Sequence, residues 1–157
     1  MVCNLKNMQK SQHKHTKIFL ADDDSDDCLL FEEALRECCP VTELSVANDG
    51  IELMSLLEKN QELPTVIFLD LNMPKKNGFE CITEIRSKAQ FNSIPIIIFS
   101  TTAQPEAVNK VYDAGANYYV CKPNSYQLLK DVIKHILAIE WNEKKLAIPT
   151  DKYVFQP

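Results

Sequence analysis

No apolar run in this chain approaches the roughly 18 residues that a membrane-spanning helix requires, so the sequence argues against a membrane protein and for a soluble one. The six cysteines (Cys3, Cys28, Cys38, Cys39, Cys81 and Cys121) form no CxxC pair and have no zinc-ligand spacing. Met1 to Thr16 lacks the apolar stretch of a secretory signal peptide. The even cysteine count is therefore read as buried free thiols in a reducing cytoplasm rather than as disulfides. Excess positive charge is missing too: 17 basic residues face 22 acidic ones, a net charge of −5. Phosphate backbones need clustered Lys and Arg, so a nucleic-acid surface is not expected, and the short basic stretch Lys10 to Lys17 reads as a solvated tail. Internal repeats and low-complexity segments are also absent.

What is present fits one compact domain: 157 residues, 45% of them hydrophobic. Apolar stretches of four or five residues alternate with helical patterns, the signature of strand–helix units around a parallel sheet. Strands are predicted at Lys17–Ala21, Glu43–Ala47, Val66–Asp70, Ile96–Ser100 and Tyr118–Cys121, and helices at Asp26–Cys38, Gly50–Lys59, Gly78–Lys88, Pro105–Ala114 and Ser125–Ile139. The third and fourth strands are continuously apolar, as strands covered on both faces should be. Pro105 suits a first helical turn, and Gly115 suits a left-handed cap. Asn48-Asp49-Gly50 could close a hairpin, although the apolar positions that follow it favour a helix. Residues 1–16 read as a polar extension and 17–139 as the domain. Residues 140–157 are apolar enough that they are expected to pack back on the domain or onto a partner.

The chemistry gathers at strand ends. Asp22-Asp23-Asp24 follows the first strand and Asp70 closes the third. In an open parallel sheet such ends come to one edge, where ligands bind. Carboxylates converging there repel unless protons or a cation neutralise them, which predicts a divalent metal, Mg²⁺. Ser100 and Lys122 close the fourth and fifth strands at the same edge. Together these are the parts that phosphoryl transfer requires: Asp70 as nucleophile, Asp22 and Asp23 holding Mg²⁺ with it, Lys122 pairing with the phosphoryl group, and Ser100 donating a hydrogen bond. Asp24 is expected beside the cluster. Each signal also has a local explanation. Asp22 to Asp27 could be an acidic first helical turn, Lys122-Pro123 a turn, and Ser100, Thr101 and Thr102 caps for the fourth helix.

Taken jointly, the pieces resemble the receiver domains of two-component response regulators. They are Phe19 to Asp24, Leu69 to Gly78 (with Asn72-Met73-Pro74), Pro95 to Thr101, Ala114-Gly115-Ala116 and Lys122-Pro123. The spacings from Asp23 to Asp70, Asp70 to Ser100 and Ser100 to Lys122, at 47, 30 and 22 positions, are ordinary for that family. The resemblance implies a flavodoxin-like, doubly wound α/β fold with a five-stranded parallel sheet of order 2-1-3-4-5 and five helices. It implies a stand-alone, chemotaxis-regulator-like protein that is not an enzyme, accepting a phosphoryl group on Asp70 from a phosphohistidine of a sensor histidine kinase or histidine phosphotransfer protein. By the same resemblance Asn72 lends its backbone carbonyl to the metal, Ser100 and Tyr119 form a switch pair, and the Lys122–Pro123 bond is expected to be cis.

Too few residues follow Ile139 for a DNA-binding or catalytic output domain, so output through protein–protein contact is expected. The surfaces in view are the helix 4–strand 5–helix 5 face, with Val108, Val111 and Tyr112, and the C-terminal tail; either could support a homodimer. Two other readings compete. An Asp-nucleophile phosphohydrolase of haloacid-dehalogenase type wants a second Asp two positions after the nucleophile, where this chain has Asn72. A receiver-like module that works without phosphorylation has no reason to keep Asp23, Asp70 and Lys122.

Overall fold

The computed structural model describes residues 15–141 and 154–155. Five strand–helix units follow in order: β1 (Lys17–Ala21), α1 (Ser25–Cys38), β2 (Glu43–Ala47), α2 (Gly50–Lys59), β3 (Val66–Leu69), α3 (Gly78–Ser87), β4 (Ile96–Ser100), α4 (Pro105–Ala114), β5 (Tyr118–Cys121) and α5 (Tyr126–Ala138). A short strand β6 (Val154–Phe155) completes a sheet of order β2-β1-β3-β4-β5-β6, parallel at every pairing. The doubly wound α/β architecture and the order of the first five strands match the sequence reading, with one strand added.

Alternation along the strands divides the core. Phe19 and Ala21 of β1 face one side with Leu53, Ile82 and Val111, so α2, α3 and α4 cover that face. Ile18 and Leu20 face the other with Phe31 and Ile133, beneath α1 and α5. There Phe31, Phe68 and Phe99 meet edge to face at centroid distances of 5.0, 5.9 and 6.1 Å, the arrangement their ring quadrupoles favour.

Helix starts are set by side chains. Asp24 accepts from the backbone amides of Asp26 and Asp27, Asp49 caps α2, Asn77 and Glu80 form a reciprocal capping box on α3, and Ser125 caps α5. Asp49 as a cap rules out the hairpin at Asn48–Gly50. Gly115 ends α4 at φ 105°, where a side chain would be strained. Gly78 has a different reason to be glycine: a Cβ there would stand 2.4 Å from the carbonyl oxygen of Asp70.

Two expectations change and a third is extended. Val108 and Val111 are buried in the core rather than exposed on the α4 face, because they sit on the side of α4 that covers the sheet; Tyr112 is half-buried. The Lys122–Pro123 peptide is trans. The edge of β5 is occupied by β6, in register Tyr119 with Val154 and Val120 with Phe155. The expected return of the C-terminal residues is therefore seen for 154–155, where Phe155 stacks on His135 at 5.2 Å, and for Trp141, whose indole donates to the Ile136 carbonyl at 3.2 Å. The extension at 1–14 and residues 142–153 and 156–157 lie outside the described residues. No helix among the described residues is long and apolar enough to cross a membrane.

Candidate functional site

Strand register assembles the site. Ala21 is level with Leu69 across β1 and β3, and Ser100 with Cys121 across β4 and β5. The next backbone amides continue the ladder: Asp70 donates to Ala21 at 2.9 Å, Lys122 to Ser100 at 2.9 Å, and Asp22 to Ala47 at 3.0 Å. Asp22, Asp70, Ser100 and Lys122 thus emerge at one edge, from strands separated by as many as 100 positions in the sequence.

One carboxylate oxygen from each of Asp22, Asp23 and Asp70 lies within 4.8 Å of the other two. Asp22 and Asp70 are buried and Asp23 is exposed. Lys122 reaches into the same space, its Nζ 2.7 Å from Asp22 and 3.3 Å from Asp70. Burial pushes the Asp22 carboxyl up to about 6, with the Asp70 charge adding to the rise, while hydrogen bonds from Lys122 and from the Asp24 amide pull against it. Burial lowers the affinity of Lys122 for its proton, but its hydrogen bonds to Asp22 and Asp27 outweigh that and the net shift is upward.

The donor set is hard oxygen throughout. Three carboxylate oxygens within 4.8 Å of one another suit a hard divalent ion such as Mg²⁺, which is held by few carboxylates and keeps several waters.

The remaining expected residues fall around this centre. The Asp70 carboxylate accepts from the Asn72 amide at 3.3 Å. Ser100 is wholly buried, and its hydroxyl oxygen accepts from the Thr102 amide at 3.3 Å. It does not cap α4, whose first residue follows Gln104 without a side-chain cap. Tyr119 lies on the α4 side of the sheet, wholly buried, whereas Tyr118 faces α5. Asp24 stays beside the cluster as the α1 cap.

One residue escaped the sequence reading. Asp27, in the first turn of α1, lies 2.8 Å from Lys122 Nζ. Its signal was the surplus itself: five acidic residues in six positions exceed what one helix start uses, and a lysine closes the neighbouring strand.

An acidic pocket and a lysine thus stand together at the carboxyl edge of a doubly wound α/β sheet. The chain belongs to the response regulator receiver domain family, whose model matches residues 18–134. It is 32% identical over 128 residues to the response regulator Rcp1 of Synechocystis sp. (strain ATCC 27184 / PCC 6803 / Kazusa), covering 78% of this chain and 85% of that one. It is 34% identical over 91 residues to a chemotaxis protein CheY homologue of Campylobacter jejuni subsp. jejuni, covering 58% and 69%. Among solved structures, the phosphorylated cyanobacterial phytochrome response regulator RcpA superimposes with a TM-score of 0.74 at 33% identity, over 83% of this chain and 96% of that one. The Mn²⁺-bound form of Rcp1 gives 0.71 at 27% identity, over 82% and 96%.

Proposed function

We propose that this chain is a stand-alone phosphoacceptor that works by changing its protein contacts. An Asp70 carboxylate oxygen attacks the phosphorus of a phosphohistidine on a sensor histidine kinase or phosphotransfer protein. An O–P bond forms, the N–P bond breaks, and its electron pair leaves with the imidazole nitrogen. The domain is read as residues 17–139, working in the cytoplasm.

Asp22, Asp23 and Asp70, with the Asn72 carbonyl, would hold Mg²⁺, which supplies charge neutralisation when bound. Lys122 places a second positive charge beside the same oxygens. The Ser100 hydroxyl turns its hydrogen toward the phosphoryl group, and Tyr119, which packs against the loop after Ser100, senses the change. The altered surface is the α4–β5–α5 face, with the half-buried Tyr112 of α4. A second copy of the chain is one candidate partner there.

The observation that carries this reading is the 3.3 Å approach of Lys122 to an Asp70 that shares its oxygens' space with Asp22 and Asp23. The resemblance to RcpA, solved in a phosphorylated form, supports it. A phosphohydrolase is disfavoured because Asn72 stands where its general acid would be.

The test is incubation of the full chain with phosphoramidate and Mg²⁺, followed by intact mass. One phosphoryl group should be gained, and it should be lost with Asp70→Asn and with excess EDTA. Retention of acid-labile phosphate in Asp70→Asn would count against the assignment.

A further inference from the structure

Lys122 reaches three carboxylates, and only two of them belong to the set that fits a divalent ion. Asp22 lies at 2.7 Å and Asp70 at 3.3 Å; the third, Asp27, lies at 2.8 Å and comes from 95 residues away. Asp27 has no part in capping its own helix through its side chain. Its backbone amide is taken by Asp24 at 3.1 Å, and its carboxylate points across the mouth of the site. Lys122 and Asp27 line a pocket there with Leu30, Phe99 and Pro123, and the ammonium stands 5.8 Å from the Phe99 ring centroid.

A cation seated on Asp22, Asp23 and Asp70 would draw on the negative charge that Asp22 and Asp70 now offer Lys122. Asp27 would then be the carboxylate whose hold on the lysine meets no competition. A lysine stem has four carbons of rotational freedom, so an ammonium needed at one point gains from a fixed partner.

We infer that Asp27 is a positioning residue: it anchors the Lys122 ammonium at the mouth of the acidic pocket, so that the charge is in place when Asp70 receives its phosphoryl group. This rests on the acceptor role of Asp70 given above. The simpler explanation is that Asp27 only complements the positive end of α1. That role would alter helix stability and leave Lys122 unmoved.

Asp27→Ala, Asp27→Asn and Asp27→Glu separate the two in the full chain. The first readout is the NMR order parameter of the Lys122 Cε methylene, taken with saturating Mg²⁺ and no phosphodonor, where Asp22 and Asp70 are drawn to the ion. It should fall in Asp27→Ala and recover in Asp27→Glu. The second is the rate of phosphoryl uptake from phosphoramidate with Mg²⁺, read by intact mass at about 0.5 M salt, where screening removes the simple repulsion between Asp27 and an anionic donor. Uptake should slow roughly threefold to tenfold in Asp27→Ala, the factor expected for re-ordering one long side chain, with Asp27→Asn intermediate. An unchanged order parameter overturns the inference, and so does an unchanged uptake rate in a protein whose lysine has become mobile. If the wild-type chain takes up no phosphoryl group, the acceptor reading fails instead, and the order parameter alone decides whether Asp27 anchors Lys122.

Discussion

The wholly buried phenol of Tyr119 donates its hydroxyl hydrogen bond to the backbone carbonyl of Thr102, two residues beyond Ser100. β5 is thereby tied to the loop that leads from β4 into α4. Burial pushes the phenol up to about 12, so it remains a neutral donor at physiological pH. Tyr119→Phe should cost about 1 kcal/mol, the net value of one such hydrogen bond. Tyr119→Ala should cost about 3–5 kcal/mol, because it also opens a cavity. Urea unfolding measures both, and amide exchange in the loop at 101–104 should quicken in each variant. Equal stability of Tyr119→Phe and wild type would show that the bond contributes nothing.

Arg86 makes a second tie, on the opposite end of α4. Its guanidinium donates to the carbonyls of Gly115 at 2.9 Å, Asn92 at 3.1 Å and Ile94 at 2.9 Å, and to the Asn117 side-chain oxygen at 2.8 Å. Burial lowers it to about 10, still charged at neutral pH. Asn117 in turn accepts from the Ile96 amide at 2.8 Å, at the start of β4. Arg86→Met should lose about 3 kcal/mol, since it strands acceptors that water reaches poorly. Arg86→Lys should recover little, because a point charge cannot serve a fork of four acceptors. Chemical denaturation decides it, and a near-wild-type Arg86→Lys would refute the fork argument.

The alkaline limb of stability should follow the buried thiols. Burial raises Cys81 to about 12 from 9.0, and burial followed by the Asp22 charge raises Cys28 to about 11. The folded state therefore holds these protons more tightly than the unfolded chain does. The resulting stabilisation is complete below pH 9 and is lost as pH rises through 9 toward 11 and 12. The urea midpoint should fall over that window, and less steeply in Cys81→Ala. Iodoacetamide at pH 8 should modify Cys28 and Cys81 only after denaturation. Rapid modification in the native protein would contradict their burial.

Much of this was legible in the residues. Every strand of the first five and every helix begins and ends within a residue or so of where hydrophobic periodicity and capping chemistry put it. Val66 to Leu69 and Ile96 to Phe99 are apolar on both faces because helices cover both sides of the sheet. The cysteine reading held in part: Cys28 and Cys81 are buried free thiols, while Cys38, Cys39 and Cys121 are only half-buried and Cys3 lies outside the described residues. Val108 and Val111 lie in the core rather than on the outer face of α4, and their spacing of three is itself a core signature. β6 had no readable signal, because two residues are too few to show a period.

Asp27 shows where such reading stops. Its neighbours made it look like an ordinary acidic helix start, and nothing local distinguishes a carboxylate that complements a helix dipole from one that reaches a lysine 95 positions away.

The amino-acid order alone determined the alternating elements and the delivery of Asp22, Asp23, Asp70, Ser100 and Lys122 to strand ends, because periodicity and capping are local properties of the chain. Only the tertiary structure decided which carboxylates share Lys122, which tyrosine reaches Thr102, and what lies against β5. Those depend on strand register and on the reach of individual side chains across the sheet edge, and neither is encoded within any one segment.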